Sequence, residues 1–195
     1  MTQFDTDWEW QKNIQSLAIR QFYSDRIEAW RGCAIVELDQ EGDRLSQMLD
    51  FGGVDKMLRH PDGRLSFLAQ RFRRPAYQAF NDITLRKSRP SGHPTEWGKL
   101  ITALERSEFM AEYYVYGQVN EAETGFARFR VLRLKGLVHA ILEGKIATTV
   151  RENKDGSSTF YVVSFPLIPR EFIFFDYSEG KQLRLPETLL EGPDV

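Results

Sequence analysis

Apolar residues near the N-terminus recur at the spacing of one helix face. This stripe consists of Trp10, Ile14, Leu17, Ala18 and Phe22. It predicts a long amphipathic helix, because residues three or four apart lie on the same side of a helix. Thr6 and Glu9 have the spacing of a capping box, so we expect Thr6 to cap this helix.

Later segments show the period-two alternation or the β-branched and aromatic enrichment that predicts strands. They are Val54–Arg59, Leu65–Arg73, Phe80–Arg86, Glu112–Val119, Phe126–Leu134, Ile146–Arg151, Thr159–Phe165 and Arg170–Tyr177. The segment Ala34–Val36 reads equally well as a short strand or as a helix end. Helical spacing returns in Thr95–Phe109, with Thr95 as its cap, and in Leu137–Leu142, which Gly144 would end.

This order predicts an α/β (α+β) fold with a mixed central β-sheet of about six to eight strands, flanked by helices. The length of 195 residues suits a single domain over 1–195. The polar tail at 187–195 is expected to be flexible.

The segments 54–59 and 65–73 flank His60-Pro61-Asp62-Gly63, a sequence with strong turn chemistry, so they predict a β-hairpin. The strand register decides which side chains share a face with Asp55. In a plain four-residue loop, Gln70 lies on the face of Asp55. With one bulged residue, Ala69, Arg71 and Arg73 lie there instead. The sequence leaves both registers open.

Basic residues cluster after this hairpin, although the chain has a net charge of −2. The cluster consists of Arg71, Arg73, Arg74, Arg86, Lys87 and Arg89. If the strands pair in chain order, these cations lie close together and could grip a phosphate backbone. The competing interpretation is that exposed strand ends carry Lys and Arg for solubility.

Several function classes are excluded by composition. One cysteine cannot form an internal disulfide, which favours a cytoplasmic setting, and no apolar run has the ~20 residues of a membrane span. His60, His93 and His139 lie far apart and lack the spacing of zinc ligands. A thiol hydrolase would need Cys33, which has no histidine near it in sequence.

The stretch DFGGVDKMLRHPDGRLSFLAQRFRR, residues 50–74, resembles the core of the PD-(D/E)XK nuclease superfamily. In that superfamily an Asp begins one strand, and an acidic-x-Lys motif lies on the next strand. The resemblance implies a restriction endonuclease-like core and an enzyme that hydrolyses phosphodiester bonds of DNA with Mg²⁺ or Mn²⁺. It also implies an opening helix that can bring a Glu near the metal.

The resemblance assigns roles to individual residues of the chain. As metal ligands it implies Asp55, helped by Asp50, Gln70 and Glu9, with Glu28 as the other glutamate available. As catalytic residues it implies Asp55, Gln70, Arg71 and Arg73. The chain departs from the motif, because Gln70 stands where the second acid is expected and arginines stand where the lysine is expected.

These departures leave a second function open, in which a catalytically inactive nuclease fold binds nucleic acid or a partner protein. A third interpretation is an accessory protein of a phage or mobile element. The partner that we expect is DNA. RNA and a homodimer stay open, and no membrane association is expected.

Overall fold

Two β-sheets and three α-helices make up the part of the chain described by the computed structural model, residues 3–37, 49–50, 52–106, 109–179 and 181–182. The predicted flexible tail at 187–195 lies outside these residues. The helices are α1 (Gln3–Ala18), α2 (Glu96–Glu105) and α3 (Leu134–Leu142). A π-helical turn, Ile19–Tyr23, extends α1, and a 3-10 turn follows at Glu28–Trp30.

The larger sheet has seven strands and is mixed. Its strands are β1 (Ala34–Glu37), β2 (Lys56–Arg59), β3 (Leu65–Arg73), β5 (Tyr113–Val119), β6 (Phe126–Arg133), β9 (Ile173–Ser178) and β10 (Lys181–Gln182), and they lie side by side in this order. Among the described strands of this sheet, only β3 and β5 pair in parallel, and every other neighbouring pair is antiparallel. The predicted mixed multi-stranded sheet is therefore confirmed, and the open segment at Ala34 is a strand.

A second sheet holds the remaining strands, β4 (Asp82–Ser88), β7 (Thr149–Glu152) and β8 (Thr159–Ser164), in the order β4-β8-β7. The condition set for the basic cluster, that the strands pair in chain order, is therefore not met by β4. The next neighbour of β3 in the sheet is β5, and the two strands run parallel. A parallel pair needs a long crossover between its strands. That crossover contains both β4 and α2.

The larger sheet packs a different apolar cluster on each face. Around α1 and the π-helical turn, Ile14 and Phe22 pack with Leu68, Phe72 and Phe129. On the other face, α2, α3 and the second sheet pack on the larger sheet. Their clustered residues include Leu85, Leu100, Val138 and Val163, which pack with Leu132 of β6. Both faces are thus covered, as a strand rich in apolar residues requires.

The two predicted helix caps have different outcomes. Thr95 caps α2 as expected, because its side chain accepts a hydrogen bond from the backbone N–H of Gly98 at 3.3 Å. The cap predicted at Thr6 is wrong. Helix α1 begins at Gln3, so Thr6 lies inside the helix, where its backbone is already helical.

A close approach of two rings explains why β5 carries Gly117. A Cβ at this position would lie 2.6 Å from Cε1 of Phe126 and 2.7 Å from Cδ1 of Phe72. Both rings are buried, so neither can move aside freely.

We expect Gly117→Ala to lower the free energy of unfolding by about 1–3 kcal/mol, the usual cost of overpacking a core. Gly98→Ala in α2 is the matched control, because its Cβ would make only an ordinary contact at 3.5 Å with Oγ1 of Thr95. We expect that control to raise stability by about 0.5–1 kcal/mol through helix propensity. Urea denaturation measures both, and equal stability of the two variants would contradict the packing argument.

Candidate active site at the start of β2

A pocket of about 200 Å³ opens between the start of β2, the middle of β3 and the N-terminal half of α2. Its lining is rich in charged groups: Asp50, Asp55, Arg86, Arg89, Glu96 and Lys99. Apolar residues such as Leu85, Leu100 and Tyr114 complete the lining. The predicted residue Asp55 thus meets groups from several segments that are distant in sequence.

The strand register places Asp55 beside β3. Lys56 pairs with Leu68, and the backbone N–H of His60 donates to the carbonyl of Arg64 at 2.9 Å. Continuing this register by one residue puts Asp55 opposite Ala69. Because Arg59 pairs with Leu65, the pairing is shifted by a five-residue loop, 60–64. Ala69, Arg71 and Arg73 therefore share the face of Asp55, as expected for the bulged register.

Gln70 contributes to the pocket through its backbone. Its N–H donates to Oδ2 of Asp55 at 2.6 Å and so fixes the carboxylate. Strand alternation places the Gln70 side chain on the opposite face, with Leu68 and Phe72. There its amide nitrogen, Nε2, is buried without a hydrogen-bond partner among the described residues.

Helix α2 supplies two charged residues to the pocket that the sequence analysis did not single out. Both oxygens of Glu96 accept from Nη1 of Arg71, at 3.0 and 2.9 Å, and Oε2 also accepts from the backbone N–H of Arg86 at 2.9 Å. Nζ of Lys99 lies 2.6 Å from Oδ1 of Asp50. Glu96 and Lys99 are three residues apart just after a helix cap and therefore share one face, but this spacing is ordinary on a helix surface and does not by itself mark a site.

The carboxyl group of Asp55 has an unusually high pKa. Crowding by protein atoms raises the pKa of the Asp55 carboxyl to about 7, and the backbone N–H of Gln70 opposes this rise. The negative charges of Glu96 and Asp50 raise the same pKa further, whereas Lys99 lowers it. The Asp55 side chain nevertheless keeps contact with solvent, so a solute can reach it. A raised carboxyl pKa in a pocket is typical of a functional group.

The predicted basic cluster is distributed over several places. Arg86 and Arg89 line the pocket. Arg71 is not among the lining residues, but it is hydrogen-bonded to Glu96, which is. Arg73 pairs with Asp82 at 2.9 Å, outside the residues that line the pocket. The remaining two contact rings: the Arg74 guanidinium lies 4.6 Å from the Trp10 ring, and Lys87 Nζ lies 4.9 Å from the Tyr161 ring. Arg71 and Arg86 both lie over the Phe160 ring, whereas Arg73, Arg74 and Lys87 contact other residues, so the six cations do not form one patch.

The carboxylates named as metal ligands are only partly brought together. Asp50 and Asp55 line the same pocket, and Glu96 lines it as well. Glu9 is exposed on α1, which packs on the other face of the larger sheet, and Glu28 lies in the 3-10 turn that follows. Within the described ranges, no group of three or more His, Cys, Asp and Glu side chains is placed to hold a metal ion.

Cys33 lies close in space to a histidine that is distant from it in sequence. Its Sγ lies 3.3 Å from Nδ1 of His60, and Nε2 of His60 lies 3.0 Å from Oγ of Ser66. The hairpin turn brings His60 back to the strand that follows Cys33. Burial and the charge of Asp62 raise the pKa of the Cys33 thiol, so the neutral thiol is favoured.

Comparisons with known proteins give no relative for this chain. No protein-family model, no curated protein and no solved structure matches it. In the described ranges, none of the helices has the length and apolar character needed to cross a membrane.

Ionised Asp55 should oppose folding, because its pKa rises from about 3.8 to about 7 when the chain folds. The contribution of such a carboxyl group to the free energy of unfolding is fully present below pH 4 and is lost as the pH rises to 7. Asp55→Asn stays neutral and keeps an acceptor for the Gln70 N–H. We therefore expect it to raise the free energy of unfolding at pH 8 by roughly 1–2 kcal/mol more than at pH 5, after allowance for solvent contact.

Urea denaturation in EDTA at both pH values measures this difference. Asp25→Asn is the matched control, since Asp25 is exposed and outside the pocket. A stabilisation by Asp55→Asn that is the same at pH 5 and pH 8 would show that Asp55 ionises normally.

Proposed function

We propose that this chain is a metal-dependent nuclease-like protein that hydrolyses phosphodiester bonds of DNA at the Asp55 pocket. The observation that carries the proposal is the position of Asp55, which immediately precedes β2 and faces Glu96 and Lys99 of α2 across one pocket. Carboxylates around one solvent-reached cavity can hold the metal ion that assists phosphodiester hydrolysis, and a lysine beside them can offset negative charge on the phosphate.

The order of elements supports a restriction endonuclease-like core. Helix α1 opens the chain, β1, β2 and β3 form an antiparallel meander, and α2 then leads into the buried strand β5. Strand β5 runs parallel to β3, so α2 lies beside the hairpin that carries Asp55. The resemblance of residues 50–74 to the PD-(D/E)XK superfamily implies this sequence of an opening helix, a hairpin with an acid, a helix and a buried strand.

The residues present fit a hard divalent cation. Mg²⁺ is usually held by one or two carboxylates, and waters and substrate phosphates complete its shell, so a cluster of three acids is not required. Asp55 and Glu96 would hold Mg²⁺ or Mn²⁺, with Asp50 at the pocket margin. A cation held there would lower the pKa of a water molecule and offset charge on the phosphate.

Other residues of the chain position and attract the substrate. The Gln70 N–H fixes the Asp55 carboxylate, and Arg71 fixes Glu96. Arg86 and Arg89 line the pocket and form no ion pair with a described residue, so their charges are available to phosphate. Guanidinium groups stay protonated, so none of these arginines serves as a general base.

The second candidate is a nuclease fold that binds DNA without cutting it. Two observations favour it: Gln70 replaces the motif's second acid, and Glu96 already accepts three hydrogen bonds. In this case the pocket would keep its attraction for phosphate and lack the free carboxylates that a cation needs.

A cleavage assay on plasmid and single-stranded DNA separates the two functions. We expect cleavage with Mg²⁺ or Mn²⁺ that Asp55→Ala reduces by about 100-fold or more, as for loss of a group that acts on the transition state. The exposed Asp25→Ala variant is the control and should cleave normally. Cleavage that persists in folded Asp55→Ala would contradict the catalytic role of Asp55. A folded wild type that binds DNA without cleaving it would establish the second candidate.

A further inference from the structure

Two aromatic rings stand exposed on the loop that follows β3. Tyr77 and Phe80 are 44% and 41% exposed, and their ring centroids lie 6.5 Å apart at an interplanar angle of 41°. Single apolar residues at the surface are ordinary, but neighbouring exposed aromatics indicate a surface that binds something.

The loop at residues 75–81 is held firmly at its base. The Phe80 carbonyl accepts from Nε2 of Gln118 at 2.6 Å and from Nη1 of Arg128 at 3.4 Å. Arg128 also donates to the Gln78 carbonyl, and Nε2 of Gln78 donates to the Val119 carbonyl at 2.8 Å. Gln118 is fully buried, and three of these four bonds are partly buried. The rings are therefore displayed by an ordered loop, which reduces the entropy lost on binding.

The guanidinium group of Arg73 contacts both the Tyr77 ring and the Phe80 ring. The Arg73 guanidinium lies 4.2 Å from the Tyr77 ring centroid and 5.9 Å from that of Phe80. Its own position is fixed by Asp82 at 2.9 Å and by the hydroxyl of Tyr116 at 3.1 Å. One ring face of Tyr77 thus contacts a cation, and the exposed remainder of the ring is available to a flat partner.

The surroundings of this pair carry excess positive charge. The Asp82 carboxylate interacts electrostatically with Arg73, Arg151 and Arg130 together. Arg130 is balanced by Asp176, whereas Arg128 and Arg151 form no ion pair with a described residue. An aromatic surface beside unbalanced arginines is complementary to bases joined by phosphates.

We propose that Tyr77 and Phe80 form a stacking platform for the bases of single-stranded nucleic acid. This inference rests on the proposed function, because it names single strands as the substrate class of the Asp55 pocket. Arg73 shares the strand face of Asp55 and lies three residues beyond Gln70, about 10 Å along β3. The rings lie a further 4.2 and 5.9 Å from the Arg73 guanidinium, so a single strand that reaches from the platform to the pocket would place there a phosphate a few nucleotides away from the stacked bases.

The test is fluorescence anisotropy with a labelled oligothymidylate and with a blunt duplex of equal length, in EDTA so that no cleavage occurs. We expect the wild type to bind the single strand more tightly than the duplex. Tyr77→Ala and Phe80→Ala should each weaken single-strand binding by about 5- to 100-fold, the loss typical of one stacked base. Tyr77→Phe keeps the ring and should bind as the wild type does.

Leu167→Ala is the matched control, since Leu167 is 55% exposed on a different turn. Equal binding by the wild type and both alanine variants would overturn the platform, and so would equal or tighter binding of the duplex. Failure of the wild type to bind any oligonucleotide would also overturn it and would point to a protein partner for these rings. Asp55-dependent cleavage without these effects would leave the proposed function intact, whereas platform binding without cleavage would refute only the hydrolysis.

Discussion

The geometry of the candidate site depends on the ion pair between Arg71 and Glu96. Arg71 projects from β3 and Glu96 begins α2, so the pair joins the central hairpin to the helix across the pocket. The same Glu96 accepts the backbone N–H of Arg86 and thereby holds β4 of the second sheet. Both side chains of the pair are largely removed from solvent, at 18% and 34% exposure. Removing either partner would leave a poorly solvated charge, which is more costly than the pair itself is stabilising.

Polar contacts of the same kind orient the second sheet over the larger one. Arg73 of β3 pairs with Asp82 of β4, and the Tyr114 hydroxyl of β5 donates to the carbonyl of Thr84 at 2.8 Å. Arg130 of β6 donates to Asp176 at 3.2 Å and to the Asn81 side chain just before β4. Apolar packing alone would tolerate several orientations of two sheets, whereas buried directional bonds favour one arrangement. The pocket and the 75–81 loop lie where these contacts fix β3, β4 and α2.

Local patterns in the sequence predicted most elements, and long-range pairing was beyond them. Leu65–Arg73 alternates and follows a strong turn, so its strand was predicted with the observed bounds. The order of strands was not predictable in the same way, because nothing local shows that β4 leaves the hairpin for β8. The grouping of Arg86 with Arg73 and Arg74 depended on strands pairing in chain order, and the structure separates these residues. Asp55 was found because a motif marks it, whereas Glu96 and Lys99 have ordinary helix-surface spacing and acquire meaning only when α2 is placed over the pocket.

Anomalous X-ray diffraction from crystals soaked in Mn²⁺ would test the central claim, that the Asp55 pocket is a cation site of a nuclease-like protein. We expect an anomalous difference peak in contact with the Asp55 carboxylate, on the side of the pocket that faces Glu96. We also expect this peak to be lost in Asp55→Ala crystals of the same form. A Mn²⁺ peak only elsewhere on the molecule, or none at saturating metal with Asp55 unobstructed, would contradict the account.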